Sequence, residues 1–273
     1  MLTLKEKEQQ LEKTLKEMKK VVVAFSGGVD STLVLKKALD VLGENNVIGV
    51  VVESELFRSE EFDEAINLGH QLGAHILKTK ISELEDRHIV KNTPKSWYYS
   101  KLLLYKKVES IKEAYHFSYV LDGMIMDDND DFRPGLQARD ELGIRSILQE
   151  VGLYKEDIRH LSKQLDLPVW NKPALCSLAS RVPYGETLDE TKINKINEAE
   201  KFILSLNINN VRVRYHNNIA RIEVPEDDIS QLIQHRRLII DYLKSLDFDY
   251  VTLDLEGYRT GSMNEVLTTE TTN

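Results

Sequence analysis

The stretch Val21-Val22-Val23-Ala24-Phe25-Ser26-Gly27-Gly28-Val29-Asp30-Ser31-Thr32-Leu33-Val34-Leu35 decides the fold. Its unbroken apolar run from Val21 to Phe25 has the length and β-branched content of a strand with both faces covered. Gly27 and Gly28 then turn the chain, and the residues from Thr32 to Leu39 have helical character. A buried strand that turns directly into a helix aims several backbone N–H groups and the positive end of the helix dipole at one spot. That spot suits a phosphate, with Ala24, Ser26, Gly27, Gly28, Asp30 and Ser31 around it.

The kind of phosphate chemistry follows from what the loop lacks. No G-x-x-x-x-G-K-[ST] string, whose lysine reaches β- and γ-phosphates, occurs in the chain, which argues against γ-phosphoryl transfer. Asp30, an acid beside a pyrophosphate, is tolerable where a divalent cation bridges the two. The run Ser26-Gly27-Gly28-Val29-Asp30-Ser31 resembles the S-G-G-x-D-S loop of the N-type ATP pyrophosphatases, the PP-loop superfamily. The resemblance implies an adenine nucleotide alpha-hydrolase-like fold, with ATP as cosubstrate and Mg²⁺ as its cation. It also implies cleavage between the α- and β-phosphates: a carbonyl oxygen is adenylated, and a nitrogen or sulfur nucleophile then displaces AMP. Asp30 would be the catalytic and metal-binding acid.

With 273 residues, 41% hydrophobic and 30% charged, the chain can bury a sizeable core in one or two domains. No apolar run approaches the ~20 residues of a membrane span. Residues 1–20, rich in lysine and glutamate with leucines at positions 4, 11 and 15, read as an amphipathic surface helix rather than a signal peptide. A cytoplasmic address without a membrane partner is therefore expected. The net charge of −9 speaks against a protein that grips a long nucleic acid. Cys176 is the single cysteine, which excludes an internal disulfide, a tetracysteine zinc site and any relay from a second cysteine.

Further along, Val47–Val52 reads as a second strand covered on both faces, and Ser59–Leu72 as a helix. Ala74–Lys78, Lys95–Tyr115 and Tyr119–Leu121 continue the alternation as strand, helix and strand. This pattern argues for a doubly wound, mainly parallel α/β domain over residues 1–180, whose ligands sit beyond the carboxyl ends of the strands. After Val182-Pro183-Tyr184-Gly185 the character changes. Residues 181–273 read as a smaller α+β domain of order αββαβ: a polar helix Thr187–Leu206, a hairpin around Asn217-Asn218, a helix from Glu226 to about Leu246, and a strand Tyr250–Leu255.

The segment Asp122-Gly123-Met124-Ile125-Met126-Asp127-Asp128-Asn129-Asp130-Asp131-Phe132-Arg133-Pro134-Gly135 follows a strand and holds five aspartates. Such a cluster is either a solvated turn or, at the rim of a phosphate cleft, a magnesium-binding edge to which Asp127 and Asp128 contribute. Arg133 is the counter-charge able to clamp a phosphate or carboxylate on two nitrogens. Arg58, at a helix start beyond the second strand, and Met126 are further nucleotide-binding candidates.

The run Lys172-Pro173-Ala174-Leu175-Cys176-Ser177-Leu178-Ala179-Ser180-Arg181-Val182-Pro183-Tyr184-Gly185 narrows the choice. Together with Asp122–Gly135 and Gly257–Ser262, it resembles the ATP-dependent sacrificial sulfur transferases that act in biosynthesis of the nickel-pincer nucleotide, the cofactor of lactate racemase. One departure is local: the commoner string places the cysteine directly before Leu-Ala-Ser-Arg, whereas here Ser177 intervenes. The resemblance implies that Cys176 attacks an acyl-adenylate to form a thioester. Its Cβ–S bond then breaks by elimination, leaving a thiocarboxylate on the substrate and dehydroalanine in the protein. The implied substrate is a pyridinium-biscarboxylic acid mononucleotide.

The residues themselves leave choices open. Cys176 is a nucleophile, favoured as thiolate by a cation such as Lys172 or Arg181, or it is a small buried hydrophobe. Ser180 and Arg181 fall in the same substrate-binding string. Arg212 and Arg214, two apart on a strand, share one face and form an anion clamp or a solvated sheet face. Trp97 stacks on the pyridinium ring or packs in the core, while Tyr98, Leu102 and Tyr105 have the spacing of a packing stripe. Glu200 reads as an acid on a solvated helix face. A homo-oligomer joined through the C-terminal domain or the aromatic helix is expected. Two other functions compete: an ammonia-dependent synthetase in which nitrogen displaces AMP, and a nucleotide sensor without turnover.

Overall fold

The computed structural model describes residues 2–129, 134–173, 175–208, 210–259 and 261–267. The chain begins with α1 (Leu4–Met18), β1 (Val21–Ala24), α2 (Val29–Leu42), β2 (Val47–Glu53), α3 (Ser59–Gln71) and β3 (His75–Lys80). Next come α4 (Arg87–Val90), α5 (Ser96–Ala114), β4 (Tyr119–Leu121), α6 (Gly135–Leu142), α7 (Ile147–Glu150) and α8 (Lys155–Gln164). The last third holds α9 (Glu190–Ser205), β5 (Arg212–His216), β6 (Ile219–Glu223), α10 (Glu226–Gln234), α11 (Arg236–Ser245) and β7 (Tyr250–Leu253).

Two compact units result: Met1–Glu83 with Trp97–Leu175, and Leu84–Ser96 with Cys176–Asn273. The division expected at residues 180/181 thus falls just before Cys176, and Leu84–Ser96 joins the second unit. The reason for the latter is visible in hydrogen bonds. The Asn92 side-chain amide donates to the carbonyls of Val182 (3.0 Å) and Pro183 (2.9 Å), and Gly185 N–H donates back to the Asn92 carbonyl (2.8 Å).

In the first unit, four parallel strands lie in the order β3-β2-β1-β4, with an isolated parallel bridge from Leu121 to Arg145 beyond β4. Side chains alternate across a strand, so β1 divides its valines. Val21 and Val23 pack into a core with Leu11 and Leu15 of α1, Leu33 of α2 and Leu161 of α8. Val22 packs on the other face with Ile48, Val50, Tyr105 and Val120. Burial on both faces is why β1 and β2 read as near-continuous apolar runs. This is the doubly wound α/β fold, and the aromatic stripe of α5 belongs to it: Tyr105 is buried in the second core and Tyr98 and Leu102 pack against it.

The second unit carries a three-stranded sheet, β5-β6-β7, antiparallel between β5 and β6 and parallel between β6 and β7. Asn217 and Asn218 both take positive φ, 46° and 68°, as a two-residue hairpin turn whose twist matches the flanking strands requires. The single helix expected from Glu226 to Leu246 is two helices, α10 and α11, that meet at His235. Among the described residues no helix is long and apolar enough to cross a membrane.

Candidate active site

The loop after β1 is held by its own serines. Ser26 N–H donates to Ser31 Oγ (3.3 Å), the two hydroxyl oxygens lie 3.1 Å apart, and Gly28 N–H donates to Ser26 Oγ (3.4 Å). Gly28 is the N-cap of α2 and supplies no side chain to cap it, so the first turn offers N–H groups to an anion. Two glycines make the geometry possible. Gly27 has φ +71° and a Cβ there would sit 2.8 Å from Ala65 Cβ and 2.9 Å from its Cα; a Cβ on Gly123 would sit 2.8 Å from Ser31 N. Gly27→Ala is expected to cost about 1–3 kcal/mol, from left-handed strain together with the clash into α3. Urea denaturation measures it, and ATP binding should fall with it.

Asp30, in the first turn of α2, accepts from Lys155 Nζ on both oxygens, at 2.8 and 2.7 Å. Partial burial pushes its carboxyl above the ordinary range; the Lys155 charge and hydrogen bond oppose that shift and the Asp128 charge adds to it. Lys155 opens α8, and its backbone N–H donates to Asp127 Oδ2 (2.9 Å). Asp128 is buried and accepts from Ile125 N–H (2.9 Å), while Met126 N–H donates to the Leu153 carbonyl (3.0 Å). Asp122, also buried, accepts from Tyr105 Oη (2.7 Å), Ser146 Oγ (2.6 Å) and Met124 N–H (3.1 Å). Over residues 122–129 the acidic segment therefore folds as a braced turn. Among the described residues no three His, Cys, Asp or Glu side chains converge to hold a metal, so Asp30, Asp127 and Asp128 do not form the expected trio. Arg133, with Asp130 and Asp131, lies outside the described residues. Arg58 gives Nε and an Nη to Glu61 Oε1, at 2.9 and 2.6 Å, which ties it to its own helix rather than leaving it open to a phosphate.

In the second unit Cys176 is exposed, which overturns its reading as a buried hydrophobe. Ser177, the residue that departs from the commoner string, is the N-cap of a 3₁₀ turn over Leu178–Arg181 and accepts from Ala179 N–H (3.3 Å). Arg181, 3% exposed, holds the turn from inside. Its Nη1 donates to the carbonyls of Cys176 (3.2 Å) and Ser177 (3.0 Å) and to Ser180 Oγ (2.8 Å), and its Nε and Nη2 pair with Glu200 at 2.8 and 3.1 Å. Glu200, 1% exposed, also accepts from Val213 N–H (3.0 Å). Its solvated reading is corrected: Ile193, Ile196, Glu200 and Ile203 follow helical spacing, which puts the acid on the buried stripe of α9.

Arg214 repeats the theme. It forks onto Glu223 (2.9 and 2.7 Å) and donates to the Ser180 carbonyl (2.8 Å) and Ser262 Oγ (2.8 Å). It is buried, so neither an open anion clamp nor a solvated face describes it. Arg212 on the same strand face lays its guanidinium over the Tyr258 ring at 5.3 Å from the centroid. Lys172 pairs with Glu64 at 2.8 Å in the first unit, where Trp97 is half-buried at the start of α5.

Over 268 residues the chain is 51% identical to the pyridinium-3,5-bisthiocarboxylic acid mononucleotide synthase of Lactiplantibacillus plantarum, covering 98% of this chain and 97% of that protein. The chain belongs to this synthase family. A protein of Synechocystis sp. is 40% identical over 268 residues, 97% of this chain and 99% of the relative. One component chain of the glutamine-hydrolysing GMP synthase of Saccharolobus solfataricus is 27% identical over 166 residues, 55% of this chain and 44% of the relative. The NAD synthase family matches residues 3–96. The serine- and glycine-bearing loop after β1 thus falls in the part of this synthase that matches the NAD synthase family.

Sequence reasoning missed Lys155 and the structural roles of Glu200 and Glu223. Glu223 had a usable signal: a two-residue turn at Asn217-Asn218 sets 216 opposite 219, and hence Arg212 opposite Glu223 in the observed register, with Arg214, the arginine that pairs with Glu223, diagonal to it on the same face.

Proposed function

We propose that this protein is a single-turnover sulfur donor that converts a carboxylate of a pyridinium-biscarboxylic acid mononucleotide into a thiocarboxylate. ATP first adenylates the carboxylate and releases pyrophosphate, whose charge the N–H groups of the loop and of the α2 start receive. Mg²⁺ would be held by the Asp30 carboxylate together with phosphate oxygens, the usual low share of protein ligands for this ion, and would neutralise the departing charge. Cys176 Sγ attacks the acyl carbon, AMP leaves, and a thioester joins substrate and chain. Loss of the Cys176 Cα proton and cleavage of Cβ–Sγ then leave the sulfur on the substrate and dehydroalanine at position 176. Arg181, by fixing the two carbonyls that follow that Cα, those of Cys176 and Ser177, orients the cysteine for both steps.

One observation carries the reading: the only cysteine of the chain is exposed on an arginine-held turn, in a member of a family whose relative is named for a bisthiocarboxylic acid. A product with two sulfurs then consumes two chains. The likeness to the GMP synthase component favours a second reading, in which ammonia displaces AMP and Cys176 is a bystander. Counting product separates the two. With ATP, Mg²⁺ and substrate in excess, thiocarboxylate should plateau at one per chain; ammonium-dependent amide that accumulates beyond that ratio would support the alternative.

A further inference from the structure

The turn after β4 meets the nucleotide loop through the backbone of Gly123. A Cβ there would lie 2.8 Å from Ser31 N, 3.2 Å from Ser31 Cα and 3.3 Å from the Asp30 carbonyl carbon, so residue 123 rests directly on the first turn of α2. The residue before it is held from several sides. Asp122 Oδ1 accepts from Ser146 Oγ (2.6 Å) and Met124 N–H (3.1 Å), its Oδ2 accepts from Tyr105 Oη (2.7 Å), and its N–H donates to the Arg145 carbonyl (3.1 Å). Arg139 Nη1, on α6, donates to Ser146 Oγ (3.3 Å), which leaves that hydroxyl its proton for Asp122. Burial, together with the charge and hydrogen bond of Asp122, pushes the Tyr105 hydroxyl well above the ordinary tyrosine range, so it stays a donor. Asp122 is 4% exposed, and a carboxylate so removed from water is costly unless donors such as these offset the cost.

We infer that Asp122 is a positioning residue for ATP cleavage, fixing the backbone of Gly123 against Asp30 and Ser31 and so holding the start of α2 in register with the pyrophosphate. The contact is backbone on backbone, with no flexible side chain between to absorb a shift. A displacement of Asp122 therefore passes to residues 30 and 31. These carry the carboxylate assigned to Mg²⁺ and the hydroxyl that accepts from Ser26 N–H (3.3 Å). Asp122, being buried, acts through Gly123 rather than on the nucleotide.

The inference rests on the ATP-pyrophosphatase part of the proposed function and deepens it. Three quantities are compared for wild type, Asp122→Ala and Asp122→Asn: ATP affinity by calorimetry with Mg²⁺, pyrophosphate release with the pyridinium mononucleotide, and the urea midpoint. Asp122→Ala should weaken ATP about tenfold or more and slow pyrophosphate release about a hundredfold, the cost of misplacing reacting groups by about 1 Å. Asp122→Asn keeps an acceptor for Met124 and Ser146 and should recover most of both. Cys176 belongs to the other unit, and iodoacetamide should alkylate it at the wild-type rate in both variants. A merely structural role would lower the urea midpoint of Asp122→Ala and leave the ATP affinity of the folded protein unchanged, and that result overturns the inference. So does Asp122→Asn no better than Asp122→Ala, which assigns the effect to charge, or an altered alkylation rate, which makes the damage global. If Asp122→Ala does not fold, Tyr105→Phe/Ser146→Ala, which removes two of the three donors to the carboxylate, takes its place with the same expected loss of ATP affinity. Failure of the wild type to bind ATP at all overturns the pyrophosphatase reading instead.

Discussion

Cys176→Ala should abolish thiocarboxylate formation while leaving the protein folded and able to bind ATP. The chain has no second thiol to take over, so the loss is complete rather than partial. Little stability is at stake, because the side chain is exposed and surface substitutions of this kind stay within about 0.5 kcal/mol. The nucleotide loop lies in the other unit and keeps its serine contacts and its glycine turn. Pyrophosphate should therefore still appear when substrate is present, because adenylation precedes attack by sulfur. Product analysis by mass spectrometry and a coupled pyrophosphate assay, run side by side, check both halves. Thiocarboxylate at the wild-type level in this variant would remove the sulfur from Cys176.

Arg181→Met should be the most destabilising of the site substitutions. Arg181 and Glu200 are almost wholly removed from water, and breaking such a pair from one side leaves a buried charge, at a cost of about 3–5 kcal/mol. The double variant Arg181→Met/Glu200→Met removes both charges and should recover most of that loss, less the unpaired Val213 N–H. Sulfur transfer should stay slow in the double variant, on the order of a hundredfold, because the Cys176 and Ser177 carbonyls have lost their anchor. A double variant both stable and fully active would make the pair a matter of folding alone.

The same pair predicts an acid response. Burial pushes Glu200 up, but the Arg181 charge and hydrogen bond, the Arg212 charge and the Val213 N–H outweigh it and hold the carboxyl below the ordinary glutamate range. A carboxyl depressed on folding stabilises the protein above its unfolded pKa, and that contribution is lost as pH falls through the depressed value. Urea midpoints of the wild type should thus drop across that acidic window more steeply than those of the double variant.

What the sequence disclosed depended on how far apart the partners lie. The strand, glycine turn and helix of residues 21–35 are one contiguous event, legible because burial on both faces writes an unbroken apolar run. The hairpin was legible for the same reason, through Asn217-Asn218. Cys176 stood out by being alone, and its resemblance-based role needed no geometry. Lys155 was invisible because only the crossing of chain from β4 to α8 brings it to Asp30. Glu200 was misread because its charge was weighed before its spacing, although positions 193, 196, 200 and 203 already marked the buried stripe. Arg181 and Arg214 look like anion ligands in any sequence, and only their carboxylate partners show that they are framework. The aspartate-rich turn conceals its logic similarly, since Asp122, Asp127 and Asp128 bond backbone and side-chain donors across a fold that composition does not describe.

The most direct measurement is the mass of the intact chain before and after incubation with ATP, Mg²⁺ and the pyridinium mononucleotide. The account predicts a loss of one H₂S per chain, with the change confined to the peptide containing Cys176. Thiocarboxylate formed in step with a chain whose mass and Cys176 peptide are unaltered would contradict it.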